Sequence, residues 1–134
     1  MEYIQWQDKY SVNVKSIDEQ HMHFVGILNK LYEAIQSNSV QELPGIIDEI
    51  VAYADTHFET EEGYFDDFKY EGAAEHKEEH NKLKLKVGEF LERKDEDPIK
   101  LSYELLDFLE DWLVKHLADL DQKYSRCFNE HGLY

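Results

Sequence analysis

The sequence has little in it that breaks, bends or cross-links a chain. Of its 134 residues only two are proline and six are glycine, so few points force a turn and long helices are favoured. There is one cysteine, Cys127, which rules out an intramolecular disulfide and suits a reducing compartment. No run of about 18 apolar residues occurs, so no transmembrane helix and no membrane insertion are expected. The opening stretch MEYIQWQDKY is neither basic nor a long apolar segment, so no signal peptide is read there and a cytoplasmic location is expected. Basic residues are scarce as well. The 14 Lys and Arg face 30 Asp and Glu, for a net charge of −16. Nucleic acid and anionic membranes both attract cations, so neither is an expected partner. The acids are spread along the whole chain, which describes a solvated surface rather than an acidic tail. The length fits one domain, 1–134, able to bury a core of its own. A monomer is expected, and no protein partner is indicated.

What is present is helical periodicity. After an arm of about 1–16, Ser16 and Glu19 have the spacing of a capping box. His21, Phe24, Val25, Leu28, Leu31, Tyr32 and Ile35 then recur at three- and four-residue steps, predicting a helix over 17–37. A second helix is predicted over 40–67, with Pro44 suited to its first turn. Its inner face carries Ile47, Ile50, Val51, Ala54, His57, Phe58, Glu61 and Phe65. A third, over 73–94, faces inward with Ala73, His76, His80, Leu83, Val87, Phe90 and Leu91, and Lys94–Pro98 ends it. A fourth, over 99–117, does so with Leu101, Leu105, Phe108, Leu109, Trp112, Leu113 and His116. The tail, 118–134, is read as partly helical over Asp121–Phe128. Four helices of similar length with short links fit an all-α, antiparallel, up-down-up-down four-helix bundle.

The histidines carry the chemistry. His76 and His80 are four apart, which puts both imidazoles on one helix face, and His57 with Glu61 repeats that spacing. His21 and His116 lie on the apolar faces of their own helices. Every predicted helix thus turns at least one nitrogen ligand inward. One inward histidine is ordinarily a satisfied core residue. Five of them with a carboxylate would cost several kcal/mol in buried polar groups, and a metal site removes that cost by using the lone pairs. His23 falls on the opposite face from His21 and His131 falls in the tail, so neither is read as a ligand. Asp121 is five residues beyond His116, a divergence of ~140° in a regular helix. If both bind metal, the helix must end or bend just after His116, although no Gly or Pro stands there to force it.

The segments Asp18-Glu19-Gln20-His21, HFETEE (57–62), HKEEH (76–80) and WLVKHLADLDQKY (112–124) together resemble the hemerythrin family, most closely its single-domain bacterial members. The resemblance runs from Trp6 to about Phe128. The combined pattern H…HxxxE…HxxxH…HxxxxD is specific where any one piece is weak. It implies two irons: one held by His76, His80 and His116, the other by His21 and His57. Glu61, Asp121 and a solvent-derived oxo or hydroxo group would bridge them. Five bonds from histidine, four from carboxylates and two from the solvent bridge fill eleven of twelve octahedral positions. The open position, on the two-histidine iron, is what reversible O2 binding needs. O2 storage, delivery or sensing is therefore the expected function. Runners-up on the same scaffold are a di-iron peroxidase, a nitric oxide reductase, and an iron or redox sensor. No proton-delivering residue is evident beside the pocket, which weighs against an enzyme. A histidine–aspartate phosphohydrolase is excluded because no His here is followed by Asp. Imidazole suits iron, and a nitrogen-rich set should favour return to the ferrous state. By the same resemblance Phe24, Phe58, Trp112 and Leu113 line the O2 pocket. Phe24 stands where the bacterial members commonly have a smaller aliphatic residue, and Val25 where they have an aromatic one. That exchange would narrow the pocket or reroute a gas path.

Overall fold

The computed structural model describes residues 3–93 and 96–134. The first two residues of the predicted arm, and Lys94 and Asp95 at the predicted end of the third helix, lie outside the described residues. Five α-helices form: α1 (Lys15–Gln36), α2 (Leu43–Phe68), α3 (Ala73–Glu92), α4 (Pro98–Lys115) and a short α5 (Ser125–Glu130). No strand occurs among the described residues. α1 packs on α2 and α4, and α3 packs on α2 and α4. With such short links between them, consecutive helices run antiparallel around one core, the four-helix bundle that the spacing predicts.

The helix ends explain themselves locally, with one exception to expectation. Pro44 and Pro98 sit in the first turns of α2 and α4, where a missing N–H costs nothing. The Asp97 carboxylate caps α4 by accepting from the Ile99 amide at 3.0 Å. The capping box expected at Ser16–Glu19 does not form. α1 begins earlier, at Lys15, without a side-chain cap. Val12, Val14 and Ile17 are fully buried, and this anchoring carries the helix start back past Ser16. The Asp18 carboxylate instead ties down the arm, accepting from Ser11 Oγ at 2.6 Å and from the Val12 amide at 2.8 Å. Further back, the Asn29 side chain bonds both the N–H and the C=O of Ile4, so the arm runs along α1. Between α2 and α3, Lys69 takes a left-handed φ of 52°. At Gly72 the Tyr70 ring lies 2.8 Å from where a Cβ would stand, so a larger residue there would displace that ring.

Two apolar clusters result. The larger fills the bundle with residues such as Leu28, Leu31, Ile50, Leu83, Leu105, Leu106 and Leu109. The smaller joins the arm to the tail through Val12, Val14, Ile17, Phe65, Tyr124 and Phe128. Leu91, expected to face inward, is 43% exposed. On α3 the buried stripe is His76, His80, Leu83, Val87 and Phe90, and it leaves Leu91 at the stripe's edge.

Candidate metal centre

α1, α2, α3 and the end of α4 each deliver ligand-type side chains to one buried layer. His21, His57, Glu61, His76, His80, His116 and Asp121 are all at most 6% exposed. The way Asp121 gets there is local. α4 stops at Lys115, and His116–Leu120 form a π-helical turn in which the Asp121 amide donates to the His116 carbonyl. A 3-10 turn, Asp121–Tyr124, follows. The wider turn brings Asp121 onto the same side as His116, a frequent role of π-bulges at functional sites.

The seven side chains sort into two groups. Glu61, His76, His80 and His116 form one, and His21, His57, Glu61 and Asp121 the other; within each, the ligand atoms lie within 4.8 Å of one another. Glu61 belongs to both. Its Oε1 is 3.1 Å from His80 Nε2 and 3.3 Å from His57 Nε2. Asp121 also spans the groups: Oδ1 is 2.8 Å from His116 Nε2 and 3.0 Å from His76 Nε2, and Oδ2 is 3.1 Å from His21 Nε2. Two pairs of imidazoles meet nitrogen to nitrogen, His21 with His57 at 3.0 Å and His76 with His116 at 3.1 Å.

This geometry suits cations. His57 Nδ1 donates to Gln20 Oε1 at 2.6 Å, and His80 Nδ1 donates to Glu62 Oε2 at 2.9 Å. Each neutral ring has one N–H, so both Nε2 atoms are bare lone pairs. Both point at Glu61 Oε1, which is also an acceptor. Lone pair facing lone pair at hydrogen-bond distance is unfavourable unless a cation lies between them. Glu61 Oε1, His80 Nε2 and both Asp121 oxygens are buried without a hydrogen-bond partner, and each faces the same space.

The electrostatics agree. Burial holds His57 neutral, lowering its pKa to about 4 against the pull of Glu61. Burial and the nearby Asp121 push the Glu61 carboxyl up, but His57, His80 and His21 outweigh them and hold it at about 2. Burial likewise opposes the Asp121 charge, yet the His116 imidazole, with His21 and His76 close by, keeps its carboxyl well below the usual range. The site therefore offers ionised carboxylates and a neutral imidazole at neutral pH, the protonation states that metal ligation requires.

A family model described as the hemerythrin HHE cation binding domain matches residues 12–127. The chain belongs to the hemerythrin family. It is 32% identical over 124 residues to bacteriohemerythrin of Clostridium acetobutylicum, covering 89% of this chain and 96% of that one. Myohemerythrin-1 of Phascolopsis gouldii is 31% identical over 121 residues, 90% of each chain. A crystal structure of wild-type hemerythrin matches with a TM-score of 0.83 at 26% identity, covering 93% of this chain and 97% of that one.

Beside the metal layer of this hemerythrin-family chain is a small apolar cavity. His21, His57, His116 and Asp121 line it, together with Phe24, Phe58, Trp112 and Leu113. About 10 Å³ is open to the centre of a water-sized molecule, room for about one small molecule. Its walls are locked by stacking: Phe58 on His80 at 3.8 Å and Trp112 on His116 at 4.2 Å between ring centroids.

Sequence reasoning missed five participants. Leu83 and Ala54, read only as helix faces, also line the cavity, as does Leu117. Tyr53 lines it too, stacked on His57 and on Phe24, with its hydroxyl donating to the Gln20 carbonyl. A phenol therefore stands beside the pocket, where the sequence reading places none. Tyr53 precedes His57 by one helical turn, which was the available signal, obscured by nine tyrosines. Tyr124, three residues after Asp121, donates a short hydrogen bond of 2.5 Å to Glu61 Oε2.

Proposed function

We propose that this chain binds O2 reversibly at a pair of irons. In this reading His76, His80 and His116 would hold one iron, His21 and His57 would hold the other, and Glu61 and Asp121 would serve both. The observation that carries this reading is the small apolar cavity against His21 and His57, the ligand group with fewer histidines. The metal pair, when bound, supplies two electrons and one open coordination position for O2.

The protein's part is to position, to seal and to limit protons. Gln20 and Glu62 fix the ring planes of His57 and His80 through their outer nitrogens, as outer partners of metal-bound imidazoles do. Tyr124 orients Glu61. Phe24, Phe58, Trp112 and Leu113 make the cavity wall apolar, which would exclude water and its protons from the site. Tyr53 is a poor proton source there. Its hydroxyl is engaged by the Gln20 carbonyl, and burial with the Glu61 charge pushes its ionisation up. That favours carriage of O2 over turnover of peroxide or nitric oxide. No helix among the described residues is long and apolar enough to cross a membrane. We place the chain in the cytoplasm as a monomer.

The test is to load the protein with ferrous iron under argon, count the iron, and follow the visible spectrum through cycles of air and argon. Two irons per chain and an absorption band that appears in air and disappears under argon support the reading. Two irons with immediate, irreversible oxidation would shift it to enzyme chemistry or sensing.

A further inference from the structure

Two of the five inward imidazoles are held at their outer nitrogen by a side chain from a neighbouring helix. His57 Nδ1 donates to the Gln20 amide oxygen of α1 at 2.6 Å, and His80 Nδ1 donates to the Glu62 carboxylate of α2 at 2.9 Å. The outer nitrogens of His21 and His76 are buried without a partner. Each proposed iron therefore has one tethered histidine, and the two tethers differ in charge. His80 is fully buried, while the Glu62 side chain is 30% exposed, so the carboxylate reaches both the ring and solvent.

We infer that Glu62 and Gln20 set an electronic asymmetry between the two metals, with Glu62 making the three-histidine side the stronger donor set. This rests on the di-iron reading above. A carboxylate accepting the Nδ1–H of a ligating imidazole draws the proton toward itself and leaves more negative charge on the ring, which raises ligand basicity. A more basic ring stabilises the more highly charged metal. A neutral amide oxygen accepts the same hydrogen bond with much less charge transfer. The three-histidine side thus favours the ferric state more than its ring count alone would give. The side facing the cavity keeps its preference for the ferrous state, which is the state that must be regained when O2 leaves. Gln20 directly precedes His21 on α1 and Glu62 directly follows Glu61 on α2, so each tether is fixed by the backbone that also carries a ligand of the centre.

Glu62 and Gln20 are positioning residues in this account, and their signature is a potential. The experiment compares the parent with Glu62→Gln and Gln20→Glu, each loaded with ferrous iron under argon. Iron per chain, midpoint potential by spectroelectrochemical titration, and the rate of irreversible conversion to ferric in air are measured. Glu62→Gln is expected to raise the potential and slow conversion several-fold. Gln20→Glu is expected to lower the potential and speed it several-fold. Merely structural damage would move both variants in one direction, so same-direction shifts overturn the inference, as do unchanged potentials in variants that hold two irons. If Glu62→Gln loses iron, Gln20→Glu decides alone by the sign of its shift. A parent chain that binds no iron overturns the metal reading itself, and this inference with it.

Discussion

The amide of Asp121 donates to the carbonyl of His116, five residues back. In a regular helix the residue sharing a face with His116 would be position 120. Leu120 is there instead, half-buried, while the Asp121 carboxylate is fully buried against His116, His76 and His21. The π-helical turn decides which residue reaches the centre. The double variant Leu120→Asp/Asp121→Leu should therefore hold fewer than two irons per chain. Recovery of two irons, measured by metal analysis, would mean that the turn relaxes to a regular helix and that its geometry is not built in.

Much of this centre was legible in the sequence because its chemistry is periodic. His57 with Glu61 and His76 with His80 announce shared faces by their spacing alone. The break after His116 was legible only through ligation, since no Gly or Pro marks it and the widened turn depends on which carbonyl one amide selects. The partners of the ligands were not legible. Tyr124 reaches Glu61 across 63 positions of sequence, and Gln20 reaches His57 across 37. Such contacts follow from helix packing, which no local pattern encodes. The start of α1 was misread for a related reason: Val12, Val14 and Ile17 are buried by the tail and α2, and that tertiary anchoring overrode the local capping signal.

Tyr124→Phe keeps the ring stacked on Phe128 and tilted against Phe65 but removes the donor to Glu61 Oε2. A buried carboxylate that loses a hydrogen-bond donor costs about 1–3 kcal/mol. The metal-free chain should lose that much in urea unfolding, and metal retention should weaken. An unchanged unfolding midpoint would show that Glu61 finds another donor.

The metal-free chain should also lose stability as pH falls from about 6.5 to about 4. His57 has its pKa lowered to about 4 in the fold by burial, against about 6.5 when unfolded. Across that window the unfolded chain takes up a proton that the folded chain refuses, so acid favours unfolding. His116 is shifted the other way: burial lowers its pKa, but Asp121 outweighs that and raises it. Its contribution is complete below about 6.5 and is lost only at higher pH, so it does not oppose the His57 slope. His57→Phe should flatten the dependence of the urea midpoint on pH between 4 and 6.5. A slope that survives the substitution would assign it elsewhere.

Asp18→Ala should free the arm. The carboxylate accepts from Ser11 Oγ and from the Val12 amide, and the Gln122 side chain, next to Asp121, donates to the Ser11 carbonyl at 2.8 Å. Losing the first two bonds costs about 1–3 kcal/mol and loosens the lid of residues that covers the π-helical turn. Amide hydrogen exchange should quicken first at Val12 and then over 116–122. Exchange confined to the arm would mean that the turn holds without it.

The cavity makes the sharpest demand on size. Phe24 and Leu113 both line it and are 5% and 2% exposed, so neither can withdraw to solvent when the other changes. Leu113→Ala removes packing that the surrounding stacked rings, Trp112 on His116 and Phe58 on His80, are poorly placed to refill. Its cost should be about 2–5 kcal/mol, and the space gained would admit water beside His21 and His57. Phe24→Leu is milder, because a branched side chain still covers the wall and Tyr53 remains stacked on His57. Both variants should bind two irons, since neither residue offers a ligand atom. In both, the oxygenated form should decay to ferric faster than in the parent, with Leu113→Ala the faster of the two. Decay rates ordered the other way, followed by the visible band in air, would place the water-excluding wall at Phe24 rather than at Leu113.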